Sequence, residues 1–262
     1  MFLDSEGCLL PSTTEPFTHI LKPAGTSGFQ ALPVIEYLSM SLGKAAGLEV
    51  PPVALTGMPD GMPPALIVER FDIRVGADDH RLIALEDICS VLDLPPNAKY
   101  DSTIERVARA VRPLSTAPED DLLIILARAL FAWFIADGDM HLKNLALLKV
   151  ASPDAATFES VRVAPLYDAV TTRVFPGLGQ DHMALKLDGK DDRLRRADFL
   201  RMAATAGISS RDANAAMDAL TVGLTTALDQ VNLPDVPNLD AELADKAEQM
   251  LALCRKRVAA WH

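Results

Sequence analysis

Five polar residues in two short stretches have the types and spacing that phosphoryl transfer needs. Asp139, His141, Lys143 and Asn144 fall within six consecutive residues after a long apolar segment, and Asp168 ends the next apolar run. Phosphoryl transfer requires a group that orients and deprotonates the attacking hydroxyl, together with oxygen ligands for the magnesium that carries the ATP phosphates. Asp139 is therefore the candidate base, and Asn144 and Asp168 are the candidate magnesium ligands.

The separation of two of these residues is typical of protein kinases. In the kinase catalytic loop, a metal-binding Asn follows the catalytic Asp by five residues, and Asn144 follows Asp139 at the same separation. His141 could orient Asp139 or a phosphate oxygen, or it could be a packed histidine of the core. Lys143 could neutralise the phosphate in transfer or pair with a nearby carboxylate.

A helix and a hairpin must position this loop. Residues 115–121 predict a helix start, with Pro118 in the first turn and acidic residues that complement the helix dipole. The helix is then apolar on almost every side, which indicates a central, buried element. Residues 145–148 and 161–166 predict an antiparallel hairpin, which brings Asn144 and Asp168 together because its outer strand ends are neighbours.

The region before this helix contains a second set of candidates. Residues 17–23 predict a short strand that includes Lys22, and a helix predicted over residues 31–46 carries Glu36. Kinases place their ATP-phosphate lysine and its helical glutamate in this order. A lysine at a strand end is nevertheless usually solvated, and a glutamate early in a helix often only complements the dipole. The strand at residues 66–71 is either an ordinary edge strand or the approach to an adenine pocket.

The other predicted elements are helical. Residues 84–92 and 102–111 predict two short amphipathic helices, and three longer helices are expected at the end of the chain. These last three helices, expected to be packing elements, cover residues 196–206, 209–231 and 240–260.

Composition excludes several classes of protein. The 262 residues carry a net charge of -11, which argues against a chain that itself forms the main nucleic-acid-binding surface. Three cysteines without CxxC spacing exclude a zinc ribbon and suggest a reducing compartment. The longest apolar segment contains Arg128 and is too short to span a bilayer. These features predict a cytoplasmic protein without a membrane partner.

Two classes of hydrolase are alternatives to a phosphotransferase, and the sequence fits both of them less well. A metal hydrolase could take Asp139, His141 and Asp168 as ligands, but one histidine with two aspartates is a thin ligand set. A nucleophilic hydrolase of the G-x-S-x-G type has no matching motif in this sequence.

Several motifs in the same order resemble the HipA-like serine/threonine kinase toxins of bacterial toxin–antitoxin systems. The resemblance runs from about residue 17 to the end of the chain. The matching segments are residues 19–23 (His-Ile-Leu-Lys-Pro), 36–40, 47–51, 68–72 (Val-Glu-Arg-Phe-Asp), 85–89, 99–100 (Lys-Tyr), 138–144 (Gly-Asp-Met-His-Leu-Lys-Asn), 164–168 (Ala-Pro-Leu-Tyr-Asp), 183–185 and 189–190.

The resemblance implies an α+β, protein-kinase-like fold with two lobes. Residues 1–82 would form a truncated β-rich N-terminal lobe, and residues 83–262 a mainly helical C-terminal lobe. By the same resemblance, Lys22 binds the ATP phosphates, and Glu69 and Phe71 line the adenine pocket. ATP and Mg²⁺ are the implied cofactors, and the implied substrate is a protein, for example a translation factor such as an aminoacyl-tRNA synthetase.

One departure from the family pattern limits this prediction. Relatives have a further N-terminal subdomain and a Gly-rich, serine-containing phosphate loop before the lysine strand, and neither is visible here. The chain is similar in this respect to the shorter HipT kinases, whose subdomain is a separate protein. The resemblance implies a helix-turn-helix antitoxin partner, with DNA contacted through that partner. The alternative is a catalytically weak or inactive kinase-fold binding module.

Overall fold

The computed structural model describes residues 1–4, 6, 8–12, 17–26, 28–75, 80–152 and 154–261. Within these residues, small antiparallel sheets and helices alternate along the chain, and the last three elements are helices. The strands are β1 (Phe2–Leu3), β2 (Leu9–Leu10), β3 (His19–Lys22), β4 (Val53–Thr56), β5 (Ala65–Glu69), β6 (Ile73–Val75), β7 (His80–Leu82), β8 (Ala84–Asp87), β9 (Ala146–Val150) and β10 (Ser160–Val163). The helices are α1 (Leu32–Ala45), α2 (Ile88–Val91), α3 (Ile104–Val111), α4 (Pro118–Ile135), α5 (Arg196–Ala206), α6 (Ser210–Gln230) and α7 (Ala241–Ala259).

A three-stranded sheet and one helix carry Lys22 and Glu36. Strand β5 lies between β3 and β4 and pairs with both in antiparallel orientation, and α1 packs against β4 and β5. The chain leaves α1 through Gly47, whose φ of 96° lies in the left-handed region that favours glycine. The predicted strand is present, and the predicted helix is confirmed to within one residue at each end.

Residues 84–92 do not form the single helix that their spacing predicts. Ala84–Asp87 form β8, which pairs with β9, and only Ile88–Val91 are helical. The Asp87 carboxylate caps α2 by accepting a hydrogen bond from the backbone N–H of Ser90 at 2.8 Å. The prediction is wrong because the partner strand lies far along the chain, where local spacing cannot reveal it.

Helix α4 is the central element of the larger, helical part. Its first turn has the predicted proline and three acidic residues, and it packs against α3, α6 and α7. Ile125, Leu126 and Phe131 lie on different faces of the helix, and each is at most 2% exposed. The helix ends at Ala136, whose left-handed backbone (φ 58°) turns the chain sharply into the next loop.

Strands β9 and β10 form the predicted antiparallel hairpin, with Val163 opposite Leu147. Their ends lie within three residues of the predicted bounds. The buried Asp121 carboxylate in the first turn of α4 accepts hydrogen bonds from Val163 N at 3.1 Å and Arg162 Nε at 3.0 Å. The hairpin is therefore fastened to the beginning of α4.

The buried guanidinium of Arg128, in the middle of α4, forms hydrogen bonds with the other end of the hairpin. Arg128 is 2% exposed, and its guanidinium donates to the carbonyl oxygens of Asn144 at 2.8 Å, Ala164 at 3.2 Å and Pro165 at 3.5 Å. Burial lowers the pKa of Arg128 to about 10, which still leaves it charged at neutral pH. One cation thus connects α4 to the start of β9 and to the segment that follows β10.

The three C-terminal helices α5, α6 and α7 are confirmed to within one residue at each end. Helices α6 and α7 pack against both α1 and α4 and so join the two parts of the chain. The proposed division after residue 82 stays a prediction. In the described part of the chain, no helix is both long and apolar enough to cross a membrane.

Replacing Arg128 by methionine should destabilise the fold, because three buried carbonyl groups lose their donor. We expect Arg128→Met to lower the free energy of unfolding by about 3 kcal/mol, measured by urea denaturation. Arg109→Met, which changes an exposed arginine of α3, is the matched control and should cost less than about 0.5 kcal/mol. Equal losses in the two variants would contradict the role assigned to Arg128.

Candidate active site

The loop after α4 is organised around the buried carboxyl group of Asp137. Its Oδ1 accepts a hydrogen bond from Asp139 N at 2.9 Å, and its Oδ2 accepts one from Val170 N at 3.4 Å. These two acceptors hold the loop against the segment that follows Asp168. Burial raises the pKa of Asp137 to about 8, and its backbone hydrogen bonds oppose that shift.

Gly138 lets a second loop approach closely. A Cβ added at this position would overlap the carboxylate of Asp181 and the hydroxyl of Thr172. Glycine therefore allows this close approach, because any other residue would force the side chains of Asp181 and Thr172 to move.

Asp139, the candidate base, points into an open cavity. Its side chain is 44% exposed, and its Oδ1 accepts a hydrogen bond of 2.5 Å from the hydroxyl of Tyr100. The cavity has a volume of about 490 Å³, enough for the phosphates of a nucleotide. Every predicted catalytic and metal residue contributes to its lining, together with two of the four predicted cofactor-binding residues. The predicted residues that line it are Lys22, Glu36, Asp139, His141, Lys143, Asn144 and Asp168.

His141 lies behind Asp139 and is almost completely buried. Its Nε2 is 4.0 Å from Asp139 Oδ1, too far for a hydrogen bond, and 2.7 Å from the ammonium of Lys99. Because an ammonium can only donate, Nε2 must accept and the ring proton belongs on Nδ1. Burial lowers the pKa of His141, which Asp139 opposes and Lys99 reinforces, so the ring is neutral at pH 7.

Lys143 reaches the same cavity, but its charge is already paired. Its ammonium donates to Asp87 Oδ2 at 2.7 Å, and this hydrogen bond raises the pKa of Lys143. Of the two interpretations left open by the sequence, pairing with a carboxylate is the one that the structure contains.

Asn144 and Asp168 lie side by side, as the predicted hairpin requires. The amide nitrogen of Asn144 donates to the carbonyl oxygens of Asp139 at 3.1 Å and Asp168 at 3.4 Å. Among the described residues, no group donates a hydrogen bond to the amide oxygen of Asn144, and the Asp168 side chain is 46% exposed. One carboxylate and one amide oxygen beside a phosphate-sized cavity suit magnesium. The described residues contain no group of three His, Cys, Asp or Glu side chains placed to hold a metal ion, so the ligand set suggested for a metal hydrolase is not assembled in them.

Lys22 connects the sheet to this site. Its ammonium donates to Glu36 Oε1 at 2.6 Å and to Asp168 Oδ1. Glu36 is 5% exposed, and burial raises its pKa to about 7 while Lys22 opposes the shift. Glu36 therefore does more than complement the dipole of α1, because it holds the lysine in place at the cavity wall.

The two predicted adenine-pocket residues lie at a neighbouring cavity of about 350 Å³, which also borders Lys22 and Asp168. Phe71 is half-buried, and its ring lies 5.5 Å from that of Tyr167. Glu69 is exposed at the end of β5. An aromatic pair beside an open space can stack on a flat heterocycle.

Four residues with central positions were not predicted as parts of the site. Residues 99–100 match the family pattern, but the sequence assigned no role to Lys99 or Tyr100, because they approach the site from a distant turn. Arg128 acts from inside α4, where no local pattern marks it. Asp137 had a signal, because an aspartate two residues before another polar loop residue often caps the local backbone.

Comparison with known proteins identifies relatives by sequence. A family profile described as "HipA-like C-terminal domain" matches residues 4–228. Two proteins of Sinorhizobium fredii (strain NBRC 101917 / NGR234) are similar: "Putative kinase Y4mE" is 34% identical over 184 residues, which cover 68% of this chain and 41% of that protein. "Putative kinase Y4dM" is 28% identical over 195 residues, covering 70% and 45% respectively. The chain thus spans less than half the length of these curated relatives.

Two solved structures have a similar fold. The Shewanella oneidensis MR-1 toxin–antitoxin protein HipA, solved with HipB and operator DNA, aligns with a TM-score of 0.75 at 18% identity, covering 94% of this chain and 58% of HipA. The Helicobacter pylori proinflammatory kinase CtkA aligns with a TM-score of 0.52 at 13% identity, covering 95% and 86%. These likenesses confirm the predicted α+β, kinase-like fold.

The raised pKa of Asp137 predicts a specific dependence of stability on pH. The folded chain keeps this proton up to about pH 8, whereas an unfolded aspartate loses it near pH 4. The folded state therefore binds more protons between these values, so the stabilising contribution is complete below pH 4 and declines towards pH 8.

The variant Asp137→Asn removes this titration. Between pH 5 and pH 8, the free energy of unfolding of the wild type should fall by about 3 to 4 kcal/mol more than that of the variant, measured by urea denaturation. Asp101→Asn, at an exposed position, should keep the wild-type dependence. Parallel profiles for the wild type and Asp137→Asn would refute the assignment.

Proposed function

The chain belongs to the HipA-like C-terminal domain family, and we propose that it forms the catalytic part of an ATP- and magnesium-dependent serine/threonine protein kinase. One observation carries the proposal: Lys22, Asp139, Asn144 and Asp168, from separate parts of the sequence, border one cavity beside an aromatic pocket. This is the set of groups that phosphoryl transfer requires.

Each residue of the site has a separate role in the proposed phosphoryl transfer. Asn144 and Asp168 would hold magnesium, which supplies neutralising charge to the phosphates when bound. Lys22, positioned by Glu36, binds phosphate oxygens, and Phe71 stacks against adenine at the neighbouring cavity. Asp139 accepts the proton of the attacking hydroxyl on Oδ2, because Tyr100 already donates to Oδ1.

The proposed biological role is that of a toxin in a bacterial toxin–antitoxin system. The solved HipA relative was captured with HipB and operator DNA, which supports an antitoxin partner for this protein. With a net charge of -11, the chain is expected to leave most DNA contacts to that partner. As the family resemblance implies, the proposed substrate is a translation factor such as an aminoacyl-tRNA synthetase. The proposed location of the protein is the cytoplasm.

Magnesium-dependent ATP binding is the first test. At ATP·Mg concentrations near 100 times the Kd, the wild type should gain about 2.7 kcal/mol of stability, seen as a higher Tm in a thermal-shift titration. Asp168→Ala should lose the magnesium-dependent part of this gain. Asp229→Ala, an exposed aspartate of α6, is the matched control and should behave as the wild type does. An unchanged response in Asp168→Ala would refute the metal site.

Phosphotransfer separates an active kinase from a binding module with a kinase fold. With radiolabelled ATP and casein as a general acceptor, Asp139→Asn should reduce the rate by about 10²- to 10⁴-fold, because it removes the proton acceptor. ATP binding should persist in this variant. A wild type that binds ATP·Mg without any transfer to casein or to itself would favour the binding module.

The aromatic pair predicts where the base of the nucleotide binds. Phe71→Ala should weaken ADP·Mg binding about tenfold, measured by calorimetry, because one face of the stack is lost. Phe158→Ala removes an exposed phenylalanine at the tip of the β9–β10 hairpin and should leave the Kd unchanged. Equal Kd values for wild type and Phe71→Ala would place adenine elsewhere.

A further inference from the structure

The turn that carries Lys99 and Tyr100 forms three contacts with the loop that contains Asp139, His141 and Leu142. The carbonyl oxygen of Lys99 accepts a hydrogen bond from Leu142 N at 3.0 Å. The Lys99 ammonium lies 2.7 Å from His141 Nε2, and the Tyr100 hydroxyl donates to Asp139 Oδ1 at 2.5 Å. The turn precedes this loop by about 40 residues, yet it contacts the loop through both backbone and side chains.

The cations of the cavity differ in what neutralises them. Lys22 is paired with Glu36 and Asp168, and Lys143 is paired with Asp87. Lys99 lines the same cavity, and among the described residues no carboxylate forms an ion pair with it. Lys99 is therefore the lysine of this cavity whose positive charge remains available to an anion.

His141 explains how this charge is kept in place without being cancelled. A neutral imidazole accepts one proton of the Lys99 ammonium through Nε2, and its buried Nδ1 has no partner among the described residues. The ring thus anchors the ammonium as a dipole and leaves two of its three N–H donors unused. A carboxylate in the same place would hold the lysine equally well but would remove its charge.

We propose, on the basis of the proposed function, that Lys99 is a catalytic residue that binds the phosphoryl group while it is transferred. The bond between this phosphorus and the ADP oxygen breaks, a bond to the acceptor hydroxyl oxygen forms, and the hydroxyl proton passes to Asp139. Lys99 keeps its protons and donates hydrogen bonds to the oxygens of the phosphoryl group. In the transition state, negative charge is spread over these oxygens, and a preorganised cation beside them can stabilise it.

The sequence suggested Lys143 for this task, and the structure favours Lys99 instead. Moving Lys143 to a phosphate would break its ion pair with Asp87, the residue that caps α2. Lys99 needs no such exchange, because it lies beside the base and can contact the phosphoryl group while still bonded to His141.

Calorimetry with two nucleotide complexes tests this role. ADP·Mg with aluminium fluoride imitates the phosphoryl group in transfer, whereas the non-hydrolysable ATP analogue AMP-PNP with magnesium imitates the ground state. We expect Lys99→Met to bind the fluoride complex about 100-fold more weakly and AMP-PNP less than about threefold more weakly. Lys99→Arg keeps the charge and should recover most of the loss. Lys44→Met, an exposed lysine of α1, is the matched control.

The outcomes separate this inference from the function on which it rests. Wild-type affinity of Lys99→Met for the fluoride complex overturns the role of Lys99 and leaves the kinase proposal intact. An equal loss for both complexes also overturns it, because Lys99 then serves ground-state binding or structure. Failure of the wild type to bind either complex overturns the kinase proposal itself. If Lys99→Met has a lower Tm than the wild type, Lys99→Gln supplies the neutral variant.

Discussion

The site depends most on a buried cation that is balanced by carbonyl dipoles rather than by an ion pair. Burying a charge costs several kcal/mol unless its hydrogen bonds are made with good geometry. The terminal nitrogens of Arg128 meet this condition only while the carbonyls of Asn144, Ala164 and Pro165 stay where they are, and its Nε has no partner among the described residues. Any drift of the hairpin away from α4 would leave a desolvated guanidinium unbonded. The position of Asn144 at the cavity is thus set by the interior of the molecule.

The groups proposed for phosphoryl transfer come from four separate places in the fold. The end of α4 supplies Asp139, the segment after β10 supplies Asp168, and the sheet with α1 supplies Lys22 and its partner. The turn after residue 98 adds Lys99. Each part is fixed by its own contacts: Asp137 ties the loop to the segment after Asp168, and Glu36 holds Lys22 from a buried position. No single element could be moved without separating these groups.

The sequence predicted what depends on local spacing. The bounds of α1 and α4–α7, the hairpin and the adjacency of Asn144 and Asp168 follow from periodicity, from helix-end signals and from antiparallel pairing. Strand β8 and the contacts of Lys99, Tyr100 and Arg128 could not be predicted in this way, because their partners lie far along the chain. Many other polar side chains could have contacted the loop instead. The prediction for Lys143 remained open for the same reason, since Asp87 lies 56 residues away.

The ion pair between Lys22 and Asp168 has a consequence for how the site would be loaded. The lysine is an internal counterion of the Asp168 carboxylate. Arrival of ATP·Mg would then be an ion exchange, in which the ammonium moves to a phosphate as the divalent cation takes its place at Asp168. Magnesium alone would displace the Lys22 ammonium from Asp168 without giving it a phosphate to bind. ATP alone would bring its phosphates close to the negative carboxylate of Asp168. The exchange would be complete only when metal and nucleotide enter together, so the residues proposed to bind the complex would also discriminate against its separate components.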